Sequence, residues 1–300
     1  MRLSRYCLER EKQQYVLLHV PSGTPRSGRK LIAVLYAYLD ASKTEIGKGM
    51  TVVAGYLASL EEWERLEAEW RGALEDWKIP RFHHTELNWL VGHEKHDMCL
   101  RYFENIIKGS ELGAVGAVLQ DENWDMRAEF AIPVPFHLKK YSQCLQSVLE
   151  VISHSASGED VAVICDCDDG KDAMQSIFLA AKEKHSNLAT LTIGSMKSML
   201  PLQAADLACA WLRHASLAIS KSHGKLDFSR IVTAFMPKGK RGVTAYFGAI
   251  VQAEQAARMA NSAAGSVQWH ISYRLPDGRL AKLIASPLFH VDPNLKRVSR

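Results

Sequence analysis

No stretch of this sequence holds the ~18 consecutive apolar residues that a membrane-spanning helix requires. Its run from Leu31 to Leu39 is half that length. No secretory signal is evident, and the six cysteines fall at irregular spacing. A disulfide framework is therefore excluded, and a reducing cytoplasm is expected. No internal repeat appears, which sets aside solenoids and propellers. Neither sign of charge dominates, since the net charge of the 300 residues is only +4. With 47% hydrophobic and 23% charged residues, the composition is that of a globular chain rather than a disordered one.

The charge is unevenly placed. Residues 1–30 carry seven Lys/Arg against two Glu, and residues 274–300 carry six against two Asp, which leaves the body at −5. Basic ends on an acidic body are compatible with phosphate contact and equally with solvated tails. Residues 1–30 close on Pro-Ser-Gly-Thr-Pro-Arg-Ser-Gly-Arg-Lys, a linker composition, and are read as a flexible basic extension.

Nine apolar residues then run into Asp40 before Ala41-Ser42-Lys43 turns the chain. This pattern predicts a strand over 31–40, buried on both faces and ending in a carboxylate. Met50–Leu57 predicts a second strand, hairpin-paired with the first. Ser59 and Glu62 have capping-box spacing ahead of Leu60, Trp63, Leu66, Trp70, Leu74 and Trp77, an apolar stripe of helical period. Arg81–Leu87 reads as a short extended segment, followed by a helix over about 97–108.

Leu112–Gln120 is a third expected strand. Leu138–His154 is an expected helix with Tyr141, Leu145, Val148 and Ile152 facing inward. Asp160–Asp168 is a fourth strand, Lys171–His185 a helix and Leu188–Ile193 a fifth strand. Pro201 suits the start of a helix reaching about Ile219. An Ala-rich helix near Thr244–Ala260 and a hairpin around Pro276-Asp277-Gly278 follow, giving residues 221–300 as a C-terminal helix-and-hairpin appendage. Strands alternating with helices define an α/β class, and the early hairpin makes the sheet mixed.

Acids recur at strand ends. Asp40 ends the first strand. Asp166 and Asp168 end the fourth, on one face because they are two residues apart in extended chain. Asp206 lies among Leu202, Ala204, Ala205, Leu207 and Ala208, on a helix side built for close packing, with Gln203 sharing its face. Two carboxylates ~4 Å apart repel by roughly 4 kcal/mol at an effective dielectric of ~20. If these acids converge, they need protons or a hard divalent cation, Mg²⁺ or Mn²⁺. Two such ions can activate water and stabilise both oxygens of an in-line phosphoryl displacement.

Tyr38-x-Asp40-x-Ser42, the Gly-Tyr of the second strand, Glu-Glu-Trp-Glu-Arg-Leu, Phe82-His83-x-Thr85-Glu86-Leu87, and Ser195-x-Lys197 followed by Leu202-Gln203-x-Ala205-Asp206-Leu207 stand in one order. Together they resemble the bacterial and phage family known as domain of unknown function 3800, within the ribonuclease H-like superfamily. The resemblance spans about residues 31–220. It implies an RNase H-like mixed five-stranded sheet flanked by helices. It also implies a nuclease-type carboxylate site of Asp40, Asp166 or Asp168, and Asp206, with Mg²⁺ or Mn²⁺ as cofactor and nucleic acid as partner. Ser42, His83, Glu86, Lys197 and Gln203 are expected around that site, Gln203 fixing a carboxylate or the backbone of the 200–204 turn. The family usually has Asp-Glu-Ser-Gly where this chain has Asp40-Ala41-Ser42-Lys43, a departure that bears on activity.

Other readings compete. Val163–Gly170 is similar to the strand-plus-Asp-x-Asp of haloacid dehalogenase-like phosphatases, without a convincing acidic pair downstream. His83, His84, His93 and His96 with Cys165 and Cys167 contain zinc-type ligands, but their spacings fit no closed four-ligand pattern. Lys238, Lys240 and Arg241 form a basic loop that could meet phosphates. A non-catalytic nucleic-acid- or protein-binding module on the same fold is the alternative function. Its mark would be a Lys43 or Lys197 ammonium filling the gap between the acids.

Overall fold

The structure is a computed structural model that describes residues 35–42, 50–120, 138–156, 158–166, 170–221, 245–252, 267–274 and 280–285, the last three segments through their backbone alone. Eight strands and six helices are placed among them. In chain order they begin with β1 (Leu35–Ser42), β2 (Met50–Ser59), α1 (Leu60–Trp77), α2 (Leu87–Val91), α3 (His93–Gly109) and β3 (Gly113–Gln120). There follow α4 (Lys139–Ser155), β4 (Val161–Asp166), α5 (Lys171–Lys184), β5 (Leu188–Gly194) and α6 (Leu200–Lys221). The last are β6 (Ala245–Gln252), β7 (Val267–Arg274) and β8 (Leu280–Ala285).

The sheet order is β5-β4-β1-β2-β3-β6-β7-β8. Its first five strands, read from β3, run 3-2-1-4-5, with β2 antiparallel to both β1 and β3 and with β4 and β5 parallel to β1. This is the RNase H-like arrangement, an α/β mixed sheet flanked by helices. Its central strand, β2, is buried over almost its whole length, because neighbours cover both of its edges and helices both of its faces. At Gly55 any Cβ would collide with the Tyr38 carbonyl, so the β1–β2 contact requires glycine there.

Alternation along β1 sets the two faces. Ala37 and Leu39 pack with Val53, Val115, Leu145, Val148 and Phe178 beneath α4 and α5. Tyr36 and Tyr38 turn to the opposite face, where α1, α3 and α6 close over Trp63, Trp70, Phe82 and Phe103. Ser59 caps α1, its Oγ accepting the Glu62 N–H at 3.4 Å. The reciprocal half of the capping box is absent, because the Glu62 carboxylate pairs with Arg65 on the next turn. The apolar stripe of α1 holds in its middle, with Trp63, Leu66, Trp70 and Leu74 buried. It fails at the entry, where Leu60 is 49% exposed.

Several expectations change. β1 continues two residues beyond Asp40, so that carboxylate stands inside the strand. The 81–87 segment is irregular at its start and turns at 84–86 into the short α2. α3 begins at His93, four residues early, because Gly92 at φ 82° supplies the break. The segment expected as an Ala-rich helix near Thr244–Ala260 contains β6 instead, paired in parallel with β3. Aromatic and β-branched residues at its centre (Tyr246, Phe247, Ile250, Val251) and an open strand edge override the helix preference of its alanines. The final hairpin is present as β7 and β8, with Arg274 opposite Leu280. Residues 1–30, Lys43, Cys167, Asp168 and the Lys238–Arg241 loop lie outside the described residues.

Candidate functional site

Three segments far apart in sequence deliver acids to one place. β1 and β4 are parallel neighbours in register, Leu39 opposite Cys165, so Asp40 and Asp166 are the next residues along each. Both stand on the face shared by Tyr38 and Ile164, over which α6 passes. Asp206, on the second turn of α6, is 8% exposed. These carboxylates line a single cavity of about 600 Å³. Close packing of α6 is what brings the third acid down to the sheet. Its Ala204, Ala205 and Ala208 leave no bulk between helix and strands, and the Cys209 thiol donates to the Asp40 carbonyl at 2.9 Å.

Asp206 is held in position by the main-chain N–H of His84, which donates to Oδ2 at 2.6 Å. Burial raises its pKa above the ordinary carboxyl value. The His84 N–H and His83 oppose that rise, and Asp166 and Glu86 add to it. A buried acid facing a second acid binds a proton or a cation readily. Burial and the neighbouring His214 push His84 down to about 4, with His96, His83 and Arg213 contributing. His214 is lowered by burial and by Arg213. The two rings lie 5.5 Å apart. The cavity therefore combines acids with imidazoles that stay neutral at pH 7.

The surrounding shell is anchored by Gln203, which is fully buried. Its Oε1 accepts from Trp70 Nε1 at 3.1 Å and from the Phe82 N–H at 2.9 Å. Its Nε2 donates to the Met196 carbonyl at 2.9 Å. One side chain thus ties α1, the Phe82–His84 segment and the turn ahead of α6, and through that segment it sets the amide that holds Asp206. Gln203 was expected to fix a carboxylate or the backbone of the 200–204 turn; its side chain instead holds the backbone at Phe82 and Met196.

The other anticipated residues divide. Ser42 lines the cavity, and its Oγ accepts from Arg213 Nη1 at 3.3 Å. His83 lines it too, with Nδ1 3.4 Å from Glu86 Oε1. Glu86 stands at the rim, where its 2.7 Å pair with Arg81 holds its carboxyl below the usual range. Lys197 is elsewhere, in a separate cavity of about 200 Å³ with Tyr38, Glu67 and Arg71. Its ammonium therefore does not fill the acidic gap. Sequence reasoning weighed His84 only as a zinc-type ligand, and it missed Arg213 and His214. The latter two continue the Asp206 face of α6 by helical period (206, 210, 213, 214, 217), and that spacing was the available signal.

The donor chemistry is that of a hard cation's ligands: three carboxylates line one cavity, and burial raises the proton affinity of Asp206. As the side chains stand, no group of three or more His, Cys, Asp or Glu among the described residues is gathered at metal-holding separation. A zinc cluster of the expected histidines with Cys165 is not formed, because Cys165 is buried on the opposite face of the sheet. No helix among the described residues is long and apolar enough to cross a membrane.

No protein-family model matches the sequence, and no curated protein matches it. Among solved structures it is similar to a mutant of Bst-RNase HIII at 14% identity and TM-score 0.40, covering 63% of this chain and 56% of that one. It is similar to Bst-RNase HIII in complex with Mn²⁺ at 13% and 0.37, covering 62% and 56%. It is also similar to ribonuclease H2 from Pyrococcus horikoshii OT3 at 14% and 0.30, covering 69% and 82%. The chain spans just over half the length of the two Bst-RNase HIII chains.

Proposed function

We propose that this protein is a divalent-metal-dependent phosphodiesterase of RNase H-like type that hydrolyses nucleic acid. One observation carries the reading: Asp40, Asp166 and Asp206, from β1, β4 and α6, line the same cavity. Magnesium or manganese bound there would supply charge stabilisation and an activated water for phosphoryl displacement. Asp40, inside a paired strand, is the acid best placed to face both of the others. Asp166 and Asp206 complete the set, with Asp168 the alternative to Asp166. The His84 amide fixes the direction of the Asp206 oxygen, and Gln203 holds the Phe82 N–H two residues before it. Such second-layer contacts hold ligating carboxylates in the orientation they need. The order of motifs shared with the domain of unknown function 3800 family supports the same assignment.

The non-catalytic module remains the second reading. It is favoured by Ala41, which stands where that family has Glu, and by the absence of a ligating trio among the described residues. Incubating the pure protein with labelled single- and double-stranded RNA, DNA and hybrid, in Mg²⁺, Mn²⁺ or EDTA, separates the two. Metal-dependent cleavage that disappears in Asp40→Asn establishes the enzyme. Intact strands under every metal, with binding retained, establish the module.

A further inference from the structure

Among the described residues, Arg213 is the only lysine or arginine that lines the acidic cavity. Its Nη1 donates to Ser42 Oγ, yet its Nε–H is buried with no hydrogen-bond partner among the described residues. Among the described residues no carboxylate pairs with it. A buried guanidinium donor left unsatisfied is destabilising, so its retention beside a cavity calls for a ligand. The charge of that ligand is negative, because five fixed donors and no acceptor match phosphate or carboxylate.

The geometry also says where the anion lies. Side chains of a helix lean toward its N-terminus, so the guanidinium of Arg213 reaches back along α6 toward Asp206. It meets Ser42, which stands two residues past Asp40 on the same face of β1, roughly 7 Å further along the strand. A phosphate held there sits about one nucleotide step from anything held by Asp40. His84 and His214 flank the place, both lining the same cavity.

We propose that Arg213, braced by Ser42, binds the backbone phosphate that neighbours the scissile one and so positions a nucleic-acid strand across the acids. This rests on the reading of the cavity as a nucleic-acid site. It assigns the contact to the phosphate backbone, so it acts on RNA and DNA alike and carries no base preference.

The test is fluorescence anisotropy in Mg²⁺, titrating end-labelled single-stranded RNA and DNA with Asp206→Asn protein, alone and combined with Arg213→Gln or Arg213→Lys, over several salt concentrations. The expected result is a Kd raised about tenfold by Arg213→Gln on both strands, with the slope of log K against log salt reduced by about one. Arg213→Lys recovers the slope, because one positive charge remains, but only part of the affinity, because the fork is lost. If Arg213→Gln loses its cooperative melt, the Lys variant decides through the same two quantities. Unchanged Kd and slope in Arg213→Gln, or no binding by the Asp206→Asn parent, overturns the proposal. Failure of the nuclease reading is seen separately, as wild-type protein that leaves every labelled strand intact while these binding differences persist.

Discussion

The two faces of one sheet are packed by opposite rules. Beneath α4 and α5, Leu145, Val148, Leu149, Ile152, Val163 and Phe178 form an apolar layer, and the buried polar side chains on that side, Ser142 and Thr51, carry no charge. Over the other face, the two buried carboxyl residues, Glu104 and Asp206, sit with Gln203 among three buried tryptophans whose indole N–H groups are engaged: Trp63 with Tyr36, Trp70 with Gln203, Trp211 with Glu104. Burial of unpaired charge is among the costliest arrangements a fold can carry. The contrast teaches that the first layer holds the sheet together, while the second trades part of its stability for a site.

The largest expected effect tests that division directly. Asp40→Asn or Asp206→Asn should lower cleavage by at least about a hundredfold, the scale of losing one preorganised electrostatic group, and each protein should still melt cooperatively. Wild-type turnover in either variant, measured with labelled strands in Mg²⁺, removes the assigned role. The same comparison is sharpened by two substitutions of similar thermodynamic size. Gln203→Leu leaves the Phe82 N–H, the Trp70 indole and the Met196 carbonyl without their partner and should cost about 3–5 kcal/mol. Leu145→Ala on the opposite face should cost about 2–5 kcal/mol. Per folded molecule, only the first should reduce kcat/KM, by about tenfold or more, because a shift in the Phe82–His84 segment misplaces Asp206. Equal losses of turnover in the two would mean that the faces are not independent.

The sequence carried the outline of this site because its signals were local. A carboxylate at an apolar run (Asp40), another at the end of a strand (Asp166), and an acid surrounded by alanines on a helix (Asp206) are each visible within ten residues. What joined them was the order of motifs, since spacing alone does not say that α6 crosses the face of β1. His84 was not legible, because it holds Asp206 through its main-chain N–H, and any residue but proline offers that group. Arg213 was hidden by distance along α6, although its period from Asp206 was there to be read. Lys197 was expected at the site from its Ser195-x-Lys197 motif, yet the turn leading into α6 directs it to another cavity. β6 went unread for the opposite reason. Its alanines gave a helical signal, and only the free edge of β3, a tertiary fact, makes the segment a strand.

The smallest effect, and the finest test of the comparison, is in the pH dependence of stability. Asp206 binds its proton more tightly folded than unfolded, so its contribution is largest at low pH and is lost as pH rises through its raised pKa. His84 has the opposite sign. Its folded pKa of about 4 lies below the ordinary 6.5, so its contribution is full above 6.5 and is lost as pH falls toward 4. Acidification therefore removes one term's support while restoring the other's, and the wild-type profile should be shallow in that window. Asp206→Asn keeps an oxygen for the His84 N–H and drops the buried charge. Its Tm at pH 7 should rise by a few degrees, on the order expected for relieving one unfavourable group, and its stability should then fall more steeply below pH 6.5. Adding His84→Gln should flatten that fall. Melting the three proteins from neutral pH to about pH 4 reads all of this, and an Asp206→Asn protein less stable than wild type at pH 7 would show that the acid is a structural partner rather than a tolerated cost. The equivalent experiment on the opposite face, Val148→Ala, should move Tm by the same amount from pH 4 to 7, because no carboxyl or imidazole among the described residues is buried in that layer.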